Sequence, residues 1–302
     1  MMSSKSRVGR NKPAVDSASP MKKKSMLGEI ARRFTRNKLG IIGLCIVVIL
    51  VAFILLAPFI TTYDYAFQDY RNRFAYPSAK HLMGTDNFGR DIFTRLLYGG
   101  RISLLISLVS VVLSNFVGIT LGSIAGYFGG KIDLAVMRIL DILMAIPSLI
   151  MAIAISSALG GGTFNTILAV SISGIPYSMR MTRSTILSVK TNEYVEAARA
   201  TGSRSFRIII RHILPNSFAP VLVSATLLIG TNIMSISGLS FIGLGVQPPT
   251  PEWGSILAAG REFLRDFWPI IVFPSLCIFL TVFGFNLLGD GLRDAIDPRL
   301  KD

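Results

Sequence analysis

The stretch Leu39–Ile60, LGIIGLCIVVILVAFILLAPFI, contains no Asp, Glu, Lys or Arg, and its reading decides the class of fold. It lies within 25 uncharged residues between Lys38 and Asp64. About 20 apolar residues suffice to carry a helix through the hydrocarbon core of a bilayer. Four similar windows follow: Arg101–Lys131, Asp141–Arg180, Arg211–Glu252 and Asp266–Asp290 enclose 29, 38, 40 and 23 uncharged residues. The five windows hold over half of the 302 residues. Lipid offers the backbone no hydrogen-bond partner, so long apolar runs must satisfy themselves as helices. The sequence therefore specifies an all-α integral membrane protein. It excludes a soluble enzyme, a disulfide framework and a disordered tail protein.

The net charge of +14 is unevenly placed. Residues 1–38 carry eleven Lys/Arg against two acids, and Arg180–Arg211 carries seven against Glu193 and Glu196. That is the bias of loops kept on the cytoplasmic side, where basic residues accumulate. No nucleic-acid partner is expected. The first apolar run follows 38 polar residues and is too long for a signal-peptide core, so it reads as an uncleaved anchor. Cys45 and Cys277 each sit inside an apolar window and read as packing residues.

Along the chain, residues 1–20 read as a disordered basic N-terminus. Residues 21–38 place Met26, Leu27, Ile30 and Phe34 at helical spacing beside basic residues, an amphipathic cytoplasmic helix on the membrane surface. Residues 39–60 form the first transmembrane anchor, and 61–101 an extracytoplasmic loop. A five-helix core over 102–290 follows, with a basic loop at 190–216 and a cytoplasmic tail at 291–302. The second span runs from about 102 to 128, with a tight turn at Gly129–Gly130–Lys131. Glycines punctuate helices, so Gly160–Gly161–Gly162 divides the next window into spans at about 135–158 and 163–180. The fifth span is set at about 217–240 and the sixth at 267–288. Six spans put eight Lys/Arg in the outer loops and the other 23 toward the inside. The glycine-rich Gly238–Gly245 is then a re-entrant or interfacial piece. Two full spans in that window would instead reverse the C-terminus.

No G-x-x-x-x-G-K-[ST] is present, so the chain has no P-loop of its own. His81 and His212 are the only histidines and neither has a neighbouring Cys, which leaves no zinc-like ligand set. No G-x-S-x-G elbow occurs. Asp141 stands beside Arg138 at the start of the third span, spaced for an i,i+3 ion pair. No catalytic, cofactor-binding or metal-binding residue is expected. On the second span Ser110, Ser114, Gly118, Gly122, Gly126 and Gly130 recur every four residues. Small residues at this spacing let another helix approach closely. Gly118, Gly122 and Gly126 are therefore helix-packing residues, either at a subunit interface or inside the fold. Asn232, Met234 and Ser237 on the fifth span could line a pathway or pack.

The segment Glu193-Tyr-Val-Glu196-Ala197-Ala198-Arg-Ala-Thr-Gly202 reads as a short helix with small Ala197 and Ala198 on one face and Gly202 as its stop. A second basic turn ends at Leu214-Pro215. The pattern E-A-A-x3-G with L-P about a dozen residues on resembles the EAA loop in permease subunits of bacterial ABC importers. The position two before Leu214, hydrophobic in that family, is His212 here. Three more blocks narrow the likeness to the oligopeptide, dipeptide and nickel permeases, and to their C-type subunit. They are His81-Leu-Met-Gly84-Thr85-Asp86-x-x-Gly89-Arg90-Asp91, Gln247-Pro-Pro-Thr-Pro-Glu252-Trp253-Gly254, and Asn286-Leu-Leu-Gly289-Asp290-Gly291-Leu292-Arg293-Asp294 continuing to Asp297-Pro298.

In their own right, Asp86 can cap and Arg90 can pair with Asp86 or Asp91. Trp253 reads as an interface anchor, and Asp290, Gly291 and Arg293 as the end of the final helix. The resemblance implies a six-helix, type I ABC importer permease fold in a bacterial inner membrane, with both termini cytoplasmic. It implies that Glu196, Ala197, Ala198, Gly202, Leu214 and Pro215 couple to an ATPase. The implied partners are a second homologous permease subunit, two cytoplasmic ATPase subunits that hold ATP and Mg, an extracytoplasmic solute-binding protein, and membrane lipid. The implied cargo is peptide, with nickel chelates as the alternative. A secondary transporter without an ATPase is the rival from another class, but it needs intramembrane carboxylates or an inverted repeat.

Overall fold

A computed structural model describes residues 26–296 of the chain. The expected disordered terminus at 1–20 and the end of the expected tail lie outside those residues. Among the described residues the fold is helical. It comprises α1 (Met26–Phe34), α2 (Lys38–Leu55), α3 (Ala57–Ile60), α4 (Ile92–Phe128), α5 (Gly130–Met144), α6 (Ser148–Leu159), α7 (Thr163–Val189), α8 (Glu193–Ala200), α9 (Ser205–Ile208), α10 (Leu214–Phe241), α11 (Trp253–Gly260) and α12 (Pro269–Ile296).

Helix ends follow local chemistry. The Asn37 side chain accepts from Gly40 N at the start of α2, and Asp91 accepts from Thr94 N at the start of α4. Each satisfies one of the amides a helix start leaves open. Gly129, at φ +65°, ends α4 and turns the chain back. At 37 residues, α4 is about 55 Å long, longer than the hydrocarbon core.

The stripe of small residues on α4 packs against α7. Ser110 Oγ donates to Ile167 O at 3.2 Å, and Gly174 lies against Ser114. A Cβ on Gly118 would strike Ser178, one on Gly122 would meet Met179 O at 2.7 Å, and one on Gly126 would meet Ile186 at 3.0 Å. The paired positions climb together in number, so the two helices run parallel. From Ser110 to Gly126 the stripe is thus internal packing within this chain, whereas Gly130 falls beyond α4, where a Cβ would meet nothing within 4 Å. A second close seam joins α2 to α12, where Gly40 meets Gly291 and Gly43 meets Leu287 and Leu288. There the numbers run oppositely and the helices are antiparallel. Asn37 Nδ2 donates to Asp294 Oδ2 at 2.8 Å, tying the start of α2 to the end of α12.

Three apolar clusters follow one another along the bundle. One joins Ile54, Ile92, Leu96, Trp253 and Ile270, a second Ile106, Val170, Ile236 and Leu239, and a third Ile186, Val195, Ile208 and Ile213. The first lies at the end formed by loop 61–91 and α11, called here the loop end. The third lies at the opposite end, with α8 and α9.

Among the described residues, four helical segments are long and apolar enough to cross a membrane singly: Lys38–Leu55, Ile92–Phe128, Ser205–Phe241 and Pro269–Ile296. The bent pair α5–α6 brings the number to five. The segment read as the span at 135–158 is broken there by 83°. Pro147 is the cause, because it disfavours helix at the preceding residue. The remaining expected span, at 163–180, is α7, which falls short of those apolar segments. It can be polar because Thr166, Ser171, Ser173, Ser178 and Thr182 are buried in the protein.

Other expectations change as well. The final helix does not stop at Asp290–Arg293 but continues to Ile296, because Gly291 is a contact with Gly40 rather than a terminator. The basic turn before Pro215 is continuous with the fifth span through a π turn at Ile209–Ile213. The glycine-rich segment closes α10 and tucks against the α6–α7 turn, where Gly162 N donates to Gly245 O at 2.8 Å and Ser156 Oγ to Leu244 O at 2.8 Å. It makes no second full span.

Candidate functional site

At the α8 end, Glu193 and Glu196 occupy the first turn of α8, where carboxylates favour the helix dipole. Gly202, at φ +78°, turns the chain after it. Val195 is fully buried among Ile186 and Val189 of α7, Ile208 of α9 and Ile213, with Tyr127, Ala198 and Leu214 packed around them. The Arg199 guanidinium lies 5.8 Å from the Tyr127 ring centre. The short helix is therefore pinned to the last turns of α7 and α4 by one side chain and its collar. Its other face is open: Glu193, Tyr194, Glu196 and Ala197 are exposed, and Phe206 of α9 is 75% exposed. Arg204, Arg207 and Arg211 stand around them, also exposed.

The six residues singled out from the sequence thus divide. Glu196, Ala197, Ala198 and Gly202 belong to the α8 platform, Ala198 on its inner edge. Leu214 and Pro215 sit at the first turn of α10, where they and Ile119 and Phe218 line an apolar groove of about 290 Å³. Tyr194 and Phe206 were missed. Phe206 had a signal, an aromatic between Arg204 and Arg207 in an otherwise basic stretch.

Midway along the bundle Asn232, Thr231 and Ser235 of α10, Ser173 and Tyr177 of α7 and Ser148 of α6 line, with Leu227 and Leu228, a mixed groove of about 260 Å³. The expected trio is not brought together. Asn232 lines this groove, Met234 is 59% exposed on another side of α10, and Ser237 lies against Gly254 of α11. Toward the α8 end, Arg183 of α7 binds Asp133 of α5 through two hydrogen bonds of 2.5 and 2.6 Å. Asp141 pairs with Arg180 at 2.8 Å rather than with Arg138, because the α7 residue faces it across the helix pair.

The loop end is held by buried charge. Arg90 Nε donates to Asp86 Oδ2 at 2.6 Å, so Arg90 takes Asp86 and leaves Asp91 to cap α4 and meet His81 Nδ1 at 2.9 Å. Arg95 reaches Tyr65 O at 3.0 Å. Glu252, wholly buried, accepts from Ser103 Oγ and from Ser255 N, each at 2.9 Å. Trp253 is not an interface anchor. It is 1% exposed and its indole donates to Leu96 O at 2.9 Å. On the loop itself, the Asn72 amide holds the Asp69 carboxyl below the usual carboxylate range. Together these bonds tie the loop to the helices beneath it.

A family model described as "Binding-protein-dependent transport system inner membrane component" matches residues 118–302. A second, described as "N-terminal TM domain of oligopeptide transport permease C", matches residues 25–77. The chain is 45% identical to the dipeptide transport system permease protein DppC of Alkalihalophilus pseudofirmus, over 90% of each chain. It is 41% identical to the di/tripeptide transport system permease protein DppC of Pseudomonas aeruginosa, over 92% of this chain and 94% of the relative. Glutathione transport system permease protein GsiD of Pectobacterium atrosepticum is 43% identical, over 90% and 91%. Among solved structures, a chain of the inward-facing MetNI methionine ABC transporter superposes with a TM-score of 0.55 at 20% identity, covering 67% of this chain and 96% of that one. That likeness is one of fold.

Proposed function

The chain belongs to the family of binding-protein-dependent transport system inner membrane components, as a membrane-spanning permease subunit of a bacterial ABC importer, and we propose how its parts serve that role. The cargo is peptide, in keeping with relatives named for dipeptides, di- and tripeptides and glutathione. Nickel chelates are the weaker reading, since none of those relatives is named for them. A second, homologous permease subunit completes the pathway. Two cytoplasmic ATPase subunits hold ATP and Mg, while this chain binds neither and catalyses nothing. The solute-binding protein delivers cargo at the loop end, and both termini face the cytoplasm.

The observation that carries this reading is the mounting of α8. Val195 fixes the helix to the ends of α7 and α4, and its opposite face, with Tyr194, Glu196, Ala197 and nearby Phe206, is open to a partner. A push on that face passes into two long helices as a rigid-body displacement, which switches the side to which the pathway opens. The groove around Asn232, lined in part by α7, is where that helix meets the cargo path.

The test is Ala197→Trp, which crowds the open face without touching the buried pin. Peptide uptake by the assembled importer should fall about ten-fold or more, the scale of a coupling free energy, while the amount of permease in the membrane is unchanged. Undiminished uptake would overturn the coupling role.

A further inference from the structure

One wide apolar groove has no part in the transport reading above. It lies between α2, α4, α10 and α12, encloses about 660 Å³, and is lined by Val51, Leu55, Leu105, Leu108, Ile229 and Phe285 together with Arg101. Its volume is in the range of ordinary ligand pockets. Leu55, Leu105 and Leu108 are 64%, 52% and 55% exposed, so the groove opens sideways, toward the lipid that surrounds the bundle. The seams that frame it are fixed. α2 is held along α12 by the glycine contacts already described, and Ile54 presses on α4 at Gly100.

At the loop end of the groove stands Arg101. Its Nε donates to Ile54 O at 2.9 Å and its Nη2 to Leu55 O at 2.8 Å, and the guanidinium carbon lies 5.1 Å from the Tyr98 ring centre. The carbonyls are the last of α2, which a helix end leaves open. These two bonds use two of the five N–H groups of an arginine. Among the described residues no carboxylate forms an ion pair with it. The 18 residues of α2 span about 27 Å, close to the thickness of the hydrocarbon core, so a group bonded to its last turn sits at the edge of that core. A cation there without a protein counter-ion calls for an anion at headgroup depth. A guanidinium matches phosphate oxygens with paired hydrogen bonds.

We propose that this groove is a binding site for one glycerophospholipid, with an acyl chain against Leu105, Leu108 and Phe285 and the phosphate on the free edge of Arg101. A helix of a partner subunit could fill the apolar part, but its apolar side chains would leave the guanidinium without an anion. A phospholipid satisfies both halves of the site, and the assignment does not depend on which cargo the importer carries.

The experiment uses the assembled importer, reconstituted in vesicles of phosphatidylethanolamine and phosphatidylglycerol, extracted, washed with detergent and weighed by native mass spectrometry. The wild type should keep one phospholipid on this subunit through washing that strips the annular lipid. The double variant Leu105→Trp, Leu108→Trp fills the groove and leaves the Arg101 bonds to α2 in place. It should lower that occupancy about ten-fold with the thermal midpoint of the complex otherwise preserved. Arg101→Gln should lose the lipid as well, and Arg101→Lys should keep part of it. Absence of a retained lipid in the wild type, as when a partner helix covers the groove, would overturn the proposal. So would equal retention in the wild type and the leucine variant.

Discussion

Gly122 has no side chain, and the space where one would begin is already taken: a Cβ there would lie 2.7 Å from Met179 O and 3.0 Å from Thr182 Cβ. Neither neighbour is the flexible end of a long chain, so the helices themselves must part. Gly122→Leu should therefore destabilise the purified complex by about 1–3 kcal/mol, the usual cost of overpacking, read as a lower thermal midpoint. Gly28→Ala, where a Cβ meets nothing within 4 Å, serves as the neutral control. An unchanged midpoint for Gly122→Leu would contradict the close seam. The stripe that holds Gly122 was legible because four-residue spacing of small residues has one physical use. The alternative partner it left open could not be settled by spacing, since a partner in the same chain and one in another require the same surface. Trp253 was misread for a related reason. Tryptophan serves both membrane boundaries and protein cores, and only the acceptor at Leu96 O decides which.

At the scale of elements, uncharged windows locate spans well and breaks within them poorly. Pro147 stood in plain view, yet the window around it is apolar enough to cross without interruption, and the bend appears only once α5 and α6 are packed differently. α7 is the converse case. A span lined by protein need not be apolar, so its hydropathy is low, yet its freedom from charge between Asp141 and Arg180 still located it. Two ion pairs link α5 to α7, Arg180–Asp141 and the better shielded Arg183–Asp133, whose side chains are 24% and 19% exposed. Half-shielded and doubly bonded, the pair should show a coupling of about 1–3 kcal/mol in a double-mutant cycle of Asp133→Asn and Arg183→Gln, followed by thermal unfolding of the complex. A coupling near zero would mean that this pair does not hold the α5–α7 contact. The α8 helix was legible as a motif, but its pin was not, because Val195 and Ile186 are brought together only by the turn at Lys190–Asn192.

Over the whole molecule, the parallel pair α4–α7 and the antiparallel pair α2–α12 fix the two ends: loop 61–91 and α11 at one, α1, α8 and the close of α12 at the other. Cysteines placed at Lys80 and at Arg204, both exposed, should consequently label from opposite sides of the membrane once Cys45 and Cys277 are replaced. An impermeant maleimide is expected to reach Lys80→Cys in intact cells and Arg204→Cys only in inverted vesicles. Labelling of both from one side would contradict the arrangement. The polarity of α7 also bears on how the chain is made. A segment less apolar than its neighbours gains from a seat, and the ribosome releases α4 well before α7. The glycine face is thus already waiting when α7 emerges, and the nascent chain escorts its own weakest span into the bilayer. In Gly122→Leu that escort is impaired, and the same maleimide should find a fraction of Arg204→Cys stranded on the wrong side.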